Sequence, residues 1–155
     1  MGKDFDNGIQ TVNAGISDGI PCPHCILLAD DHFFFRRDLR KMLERRKDLQ
    51  VVGEANDGLE LLEIMKQARP HLVILDISMP NMNGIETARE IAKHYPEVGV
   101  LMLSMHKNAE YLNQSVSAGA KGYLLKEDID KNIFSAIDAI KAGSVYFPAK
   151  WGNDA

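Results

Sequence analysis

Four short apolar runs each end in a side chain that could do chemistry. Asp30 and Asp31 follow Ile26–Ala29, Asp76 follows Leu72–Leu75, Ser104 follows the run ending at Leu103, and Lys126 follows Gly122–Leu125. Carboxylates brought close together cannot all stay ionised without compensation. Two compensations are available. Mg²⁺ is a hard cation that takes oxygen ligands, typically one or two carboxylates plus water and phosphate. The ammonium of Lys126 is a mobile point charge suited to a phosphate oxygen. The set therefore suggests Mg²⁺-assisted phosphoryl chemistry, with one Asp as nucleophile. Singly, each residue has a plainer reading: Asp31 as a helix cap, Asp76 opening a turn ahead of Pro80, Ser104 and Lys126 as surface residues. Their recurrence at four strand ends favours a site.

The elements that must position them are legible in the periodicity. Ile26–Ala29, Val51–Ala55, Leu72–Leu75, Val98–Leu103 and Gly122–Leu125 read as strands, three of them nearly continuous in apolar residues, as in sheets covered on both faces. Between them, Phe35, Leu39, Met42 and Leu43 share one helical face. Leu61, Leu62 and Met65 share another, as do Ile85, Ala88, Ile91 and Ala92, and then Ile133, Ile137 and Ile140, with Gly143 as a stop. Five strand–helix units predict an α/β fold: a single-domain, flavodoxin-like (βα)5 doubly wound parallel sheet of order 2-1-3-4-5. In that order strands one and three are neighbours, and ligands bind beyond the carboxyl ends of the strands at the switch point. Three carboxylates, a hydroxyl and an ammonium then share one crevice.

Length and composition agree. The chain has 155 residues, 45% hydrophobic and 26% charged, enough to bury a core without disulfides. A net charge of −4 argues against a general nucleic-acid or anionic-membrane binder. No apolar run approaches a membrane span, and residues 1–25 carry no apolar signal-peptide core. Residues 1–24, rich in Gly, Asp, Asn and Ser, read as a mobile tail, residues 25–147 as the domain, and residues 148–155 as a tail or the start of a linker. Cys22 and Cys25 are too few for a secreted disulfide scaffold, so a cytoplasmic location is expected. Their CxxC spacing lacks a second ligand pair for zinc, and Cys25 is expected to begin strand one.

Asp30-Asp31, Asp76-Ile77-Ser78-Met79-Pro80 with Gly84, Leu103-Ser104 and Gly122-Tyr123-Leu124-Leu125-Lys126 together resemble the response-regulator receiver domain of two-component signalling. The match runs from about Ile26 to Phe147. Asp30-Asp31-His32, Val51-Val52-Gly53-Glu54-Ala55, Met79–Gly84 and Lys126-Glu127 are similar to the NarL/FixJ (LuxR-type) subfamily. The resemblance implies that Asp76 accepts a phosphoryl group from a sensor histidine kinase. Asp31 and Asp76 would ligate Mg²⁺ with the backbone carbonyl of Ser78, and Asp30 would help through water. Lys126 would pair with Asp76 and then with the phosphoryl group, Ser104 would bond a phosphoryl oxygen, and Tyr123 would turn inward as Ser104 moves. The protein would catalyse only its own phosphorylation and dephosphorylation. It would also pair with a second copy through helices one and five.

Regulators of this subfamily continue into a DNA-binding helix-turn-helix domain, and no such pattern follows Phe147. The expectation is a receiver truncated from a transcription regulator, with DNA bound only by the absent domain. A stand-alone receiver acting through protein contacts is the alternative. A Mg²⁺-dependent phosphohydrolase of the haloacid-dehalogenase type is disfavoured by Ser78, where that family carries a second Asp. Ser78, Met105 and His106 are expected to tune dephosphorylation. Phe33 and Phe34 are expected at a partner surface, or one of them beneath the first loop. The basic residues Arg36, Arg37, Arg40, Lys41, Arg45, Arg46 and Lys47 are expected on a solvated face of helix one, or as a docking face. His71 and His94 are given no role.

Overall fold

Parallel strands with apolar side chains on both faces need helices above and below, and the chain alternates accordingly. The computed structural model describes residues 23–148. Cys22, the tail before it and the end of the chain past Pro148 lie outside the described residues, so the readings placed there have no structural counterpart. The elements are β1 His24–Ala29, α1 Phe33–Leu43, β2 Leu49–Ala55, α2 Gly58–Met65, β3 Leu72–Asp76, α3 Gly84–His94, β4 Gly99–Ser104, α4 Ala109–Ser117, β5 Gly122–Leu125 and α5 Ile129–Lys141. A single 3₁₀ turn, Lys126–Asp128, joins β5 to α5. The five-stranded sheet is wholly parallel in the order β2-β1-β3-β4-β5, as expected.

Two cores flank the sheet. One packs Leu27, Val73, Leu75 and Met102 against Leu61, Met65, Ala88 and Ile91 of α2 and α3. The other packs Ile26, Leu28, Ile74 and Leu101 against Leu39 and Leu43 of α1 and Ile133 and Ile137 of α5. Each such leucine or isoleucine contributes about 1.5–3 kcal/mol by leaving water. Alternate residues of one strand feed opposite cores, which is why these strands read as unbroken apolar runs. Ala92, placed by periodicity on the buried face of α3, is exposed; it stands about 100° round the helix from buried Ile91, at the margin of that face.

The helix ends are defined by local chemistry. Asp57 accepts from the Glu60 amide at 2.8 Å and caps α2. Asn83 and Glu86 form a reciprocal capping box on α3. Gly143, at φ +89°, stops α5 in the left-handed region that glycine reaches without strain. Past that stop the chain turns along the outer edge of β5. Tyr146 donates its amide to the Lys121 carbonyl at 2.8 Å and accepts from the Tyr123 amide at 2.9 Å, which covers the sheet edge.

Candidate functional site

The site is assembled by strand register. Ala29 lies level with Leu75, so Asp30 leaves β1 beside the position where Asp76 ends β3. Lys126 follows β5, and its amino group crosses back to both carboxylates: 2.7 Å to Asp30 and 3.4 Å to Asp76. Its ammonium also lies 4.5 Å from the centroid of the Phe35 ring, which shields it from below. Asp30, Asp76 and Lys126 are all nearly inaccessible to solvent, whereas Asp31 is partly exposed at the mouth.

Asp76 carries the electrostatic load. Burial, then the neighbouring Asp30 charge, push its carboxyl up from 3.8 to about 6, with Lys126 and His32 pulling the other way. One of its oxygens, Oδ2, is buried and accepts no hydrogen bond among the described residues. A buried, unsatisfied carboxylate oxygen in an acidic cluster is what a hard cation or a transferred phosphoryl group would satisfy. Asp30, Asp31, His32 and Asp76 each offer one ligand atom, all within 4.8 Å of one another. The carboxylate set fits a divalent cation.

His32 is the residue that periodicity did not place in the site. Its Nδ1 stands 2.9 Å from Asp30, 3.5 Å from Asp31 and 3.9 Å from Asp76, and 3.1 Å from the Lys126 amino group. No single neutral tautomer serves both sides: Nδ1–H donates to Asp30, while a bare Nδ1 accepts from Lys126. His32 is also the residue that precedes α1, and its side chain makes no capping bond. The helix-cap reading of Asp31 is thereby corrected: the carboxylate faces the cluster and α1 starts one residue later.

The loop after Asp76 is pinned back over β3. Gly84 donates its amide to the Ile77 carbonyl at 2.8 Å, and a Cβ there would stand 2.3 Å from the Asp76 carbonyl oxygen. Only glycine permits this approach. Asn81 takes a positive φ of 66° and donates from its side chain to Asp57 at 2.6 Å. Ser78 is exposed and lines a groove with Asn83, Glu86, Arg89, Tyr111 and Gln114, leading from the site toward α4.

Ser104 ends β4, buried, and its hydroxyl is turned to the following loop. It donates to the His106 carbonyl and accepts from the His106 amide, both at 3.0 Å. Tyr123, in register with Met102, is already buried inward while Ser104 is bonded to His106, which corrects the expectation that it turns inward only as Ser104 moves; burial raises its phenol while a hydrogen bond with Ser104 opposes the shift. Met105 is 63% exposed and His106 is exposed, so both rim the mouth.

Phe33 and Phe34 are both exposed, at 56% and 68%, so neither packs beneath the first loop. Their rings meet edge to face at 5.3 Å, and Arg37 lies 5.0 Å over Phe34. The solvated basic face expected on helix one holds for Arg37, Lys41, Arg45 and Lys47, which are exposed, but not for Arg36. Arg36 is buried and hydrogen-bonded to Glu54 of β2, 18 positions away. Helical periodicity sees only α1 itself and has no means of locating that partner. His71, given no role, accepts from the Cys25 amide at 2.9 Å and stacks on His24. His94 lies 3.4 Å from Glu90, one turn back on α3.

Similarity to known proteins agrees with this geometry. The model of the response regulator receiver domain matches residues 26–138. The transcriptional regulatory protein DegU of Brevibacillus brevis is 34% identical over 125 residues, 81% of this chain and 53% of its own. Among solved structures, a LuxR-family two-component response regulator from Aurantimonas sp. superposes with a TM-score of 0.77 at 32% identity, covering 80% of this chain and 89% of that one. The signal receiver domain of NarL from Mycobacterium tuberculosis gives 0.75 at 32% identity, covering 79% and 99%. The chain spans about half the length of the curated relatives it matches. No helix among the described residues is long and apolar enough to cross a membrane. With an acidic triad, a lysine and a hydroxyl gathered at the carboxyl edge of a 2-1-3-4-5 sheet, and relatives of the NarL, DegU and LuxR type, the chain belongs to the family of response regulator receiver domains.

Proposed function

We propose that Asp76 is the phosphoacceptor of a two-component switch, charged by a sensor histidine kinase in the cytoplasm. The observation that carries this reading is the buried, unsatisfied Oδ2 of Asp76 beside an ammonium and two further carboxylates. A carboxylate oxygen of Asp76 attacks phosphorus, the P–N bond to the donor imidazole breaks, and the ring nitrogen keeps the bonding pair and takes a proton as it leaves. Asp31, Asp76 and the Ser78 backbone carbonyl would hold Mg²⁺, with Asp30 acting through water. A bound Mg²⁺ supplies charge neutralisation for the acidic oxygens and the phosphoryl group. Lys126 follows the charge, exchanging Asp30 for a phosphoryl oxygen. The Ser104 hydroxyl leaves His106 for the same group, a contact available in the phosphorylated state only, and so biases the loop after β4 and the side chain of Tyr123. Hydrolysis breaks the phosphorus–carboxylate bond and restores Asp76; Ser78, Met105 and His106 at the rim set its rate. The protein thus turns over no other substrate.

The relatives' regulatory names support a role in controlling transcription, with DNA bound by a helix-turn-helix domain outside this sequence. Phe33, Phe34 and Arg37 form an aromatic and basic patch at the mouth of the site, suited to the kinase. Pairing of two copies is part of the same reading.

Intact-mass measurement with acetyl phosphate and Mg²⁺ tests the proposal. One phosphoryl adduct is expected, lost in Asp76→Asn and without Mg²⁺. An adduct that persists in Asp76→Asn, or its absence together with a failure to bind beryllofluoride, overturns it.

A further inference from the structure

We infer that Arg36 is a positioning residue for the acidic site, acting through the peptide that joins Asp30 to Asp31; this rests on the Mg²⁺-dependent reading above. Seven basic residues lie on or just after α1, yet Arg36 alone is buried, at 7% exposure. Its guanidinium is held through two of its three nitrogens, Nε and Nη1. Nη1 donates to the Asp30 carbonyl, to the Ala55 carbonyl at 3.2 Å and to Asn56 Oδ1 at 2.9 Å. Nε donates to Glu54 Oε1 at 2.7 Å. Glu54 is held from its other side by Arg40 at 2.6 Å, so the anchor is itself fixed.

The position of these contacts gives them their meaning. The ladder between β1 and β2 runs out at Ala29 and Ala55, followed by one last bond from the Asp30 amide to the Ala55 carbonyl at 3.1 Å. Beyond that point the Asp30 carbonyl has no strand to pair with. The guanidinium takes the place of the next ladder bond and ties the ends of both strands to α1. The carbonyl it grips belongs to the peptide between the two carboxylates, so the same contact sets the direction in which Asp30 and Asp31 project. It also stands a buried positive charge behind the acidic cluster. A lysine would keep the charge but lacks the planar fork that reaches two strand carbonyls, Asn56 and Glu54 together.

Calorimetric titration of the unphosphorylated protein with Mg²⁺, alongside urea unfolding, separates positioning from simple packing. Arg36→Lys and Arg36→Met are compared with Glu54→Gln, which weakens the Arg36–Glu54 ion pair but leaves the guanidinium on the Asp30 carbonyl. Arg36→Lys is expected to stay folded and bind Mg²⁺ about tenfold more weakly, with Arg36→Met at least as weak. Glu54→Gln is expected to lose stability yet keep Mg²⁺ affinity within about twofold of native. Native affinity in Arg36→Lys overturns the inference, as does an equal loss in Glu54→Gln. If the unaltered protein itself fails to bind Mg²⁺, the reading of the site falls instead, and the role of Arg36 with it. If Arg36→Met does not fold, Arg36→Lys decides.

Discussion

Lys126 holds Asp30 more tightly than it holds Asp76: 2.7 Å against 3.4 Å. The sequence resemblance pairs the lysine with the phosphoacceptor first. In the structure its closer partner is the first of the acidic pair, so the ammonium sits between two carboxylates and must release one to follow a phosphoryl group. Removing it leaves two buried carboxylates facing each other. Lys126→Met is expected to lose about 3 kcal/mol of stability near neutral pH and to slow phosphorylation by acetyl phosphate roughly a hundredfold. Adding Mg²⁺ should restore more stability to this variant than it adds to the native protein. Urea melts with and without Mg²⁺, and phosphorylation rates by mass, check each part; a variant that phosphorylates at the native rate sinks it.

Gly84 meets the backbone of the phosphoacceptor directly. Its missing Cβ would fall 2.3 Å from the Asp76 carbonyl oxygen and 2.9 Å from the Ile77 Cα. Both are backbone atoms of a buried strand end and cannot swing aside. Gly84→Ala is expected to cost about 1–3 kcal/mol and to shift Asp76, so that both stability and phosphoryl acceptance fall together. Thermal melts and adduct formation measured on the same sample would show a retained adduct if the loop were softer than argued.

Ser104 is bonded to His106 rather than to the carboxylates, so it is free of the transfer step and engaged in the loop. Ser104→Ala should still accept a phosphoryl group. It should fail to transmit the change: amide resonances over residues 105–112 and at Tyr123, which shift on beryllofluoride addition in the native protein, are expected to stay near their unligated positions. Native-sized shifts in the variant would remove Ser104 from the switch.

His24 lies at the opposite end of the sheet, stacked on His71 at 4.8 Å, in a cleft that Glu97, Lys121 and Lys141 also line. Burial, His71 and Lys141 lower its pKa from 6.5 to about 4, and Asp48 opposes them. A base whose pKa is depressed by folding stays neutral in the fold while the unfolded chain takes up a proton. Its contribution is therefore complete above pH 6.5 and is lost as the pH falls from 6.5 toward 4. His24→Gln should weaken less than the native protein between pH 7.5 and 4.5, by roughly 1 kcal/mol because the cleft is open to solvent screening. Urea midpoints at the two pH values test this, and parallel losses would count against it.

Tyr146 carries the chain past the edge of β5. Its hydroxyl accepts from Asn132 at 3.0 Å while its carbonyl accepts from the Tyr123 amide. The exit of the domain is thus bonded to the backbone of the proposed switch residue. Tyr146→Phe is expected to cost about 1 kcal/mol and to speed hydrogen exchange at the Tyr123 amide. Unchanged exchange at Tyr123 would show that Asn132 does not secure the exit segment.

The acidic pair, Asp76, Ser104 and Lys126 were readable along the chain because a doubly wound sheet delivers the ends of its strands to one edge. An apolar run that stops at a polar residue marks such an end without reference to any other part of the molecule. Ala29 standing level with Leu75 then made neighbours of residues 46 positions apart, as the strand order required. Helix faces were readable for the same local reason, apart from Ala92 at the margin of α3. Other features depended on pairings that carry no periodic mark. Whether Arg36 faced water or β2 depended on Glu54 and the free carbonyl of Asp30, and both exist only once α1 lies across the ends of two strands. His32 joined the site because α1 starts after it, which turns its ring toward three carboxylates and a lysine that comes 94 positions later. Lys126 stands nearer Asp30 than Asp76, 2.7 Å against 3.4 Å, a choice made only where the ends of three strands meet. Periodicity reports which side of an element is buried; partners on other elements, and the charges they bring, follow from the packing of the whole domain.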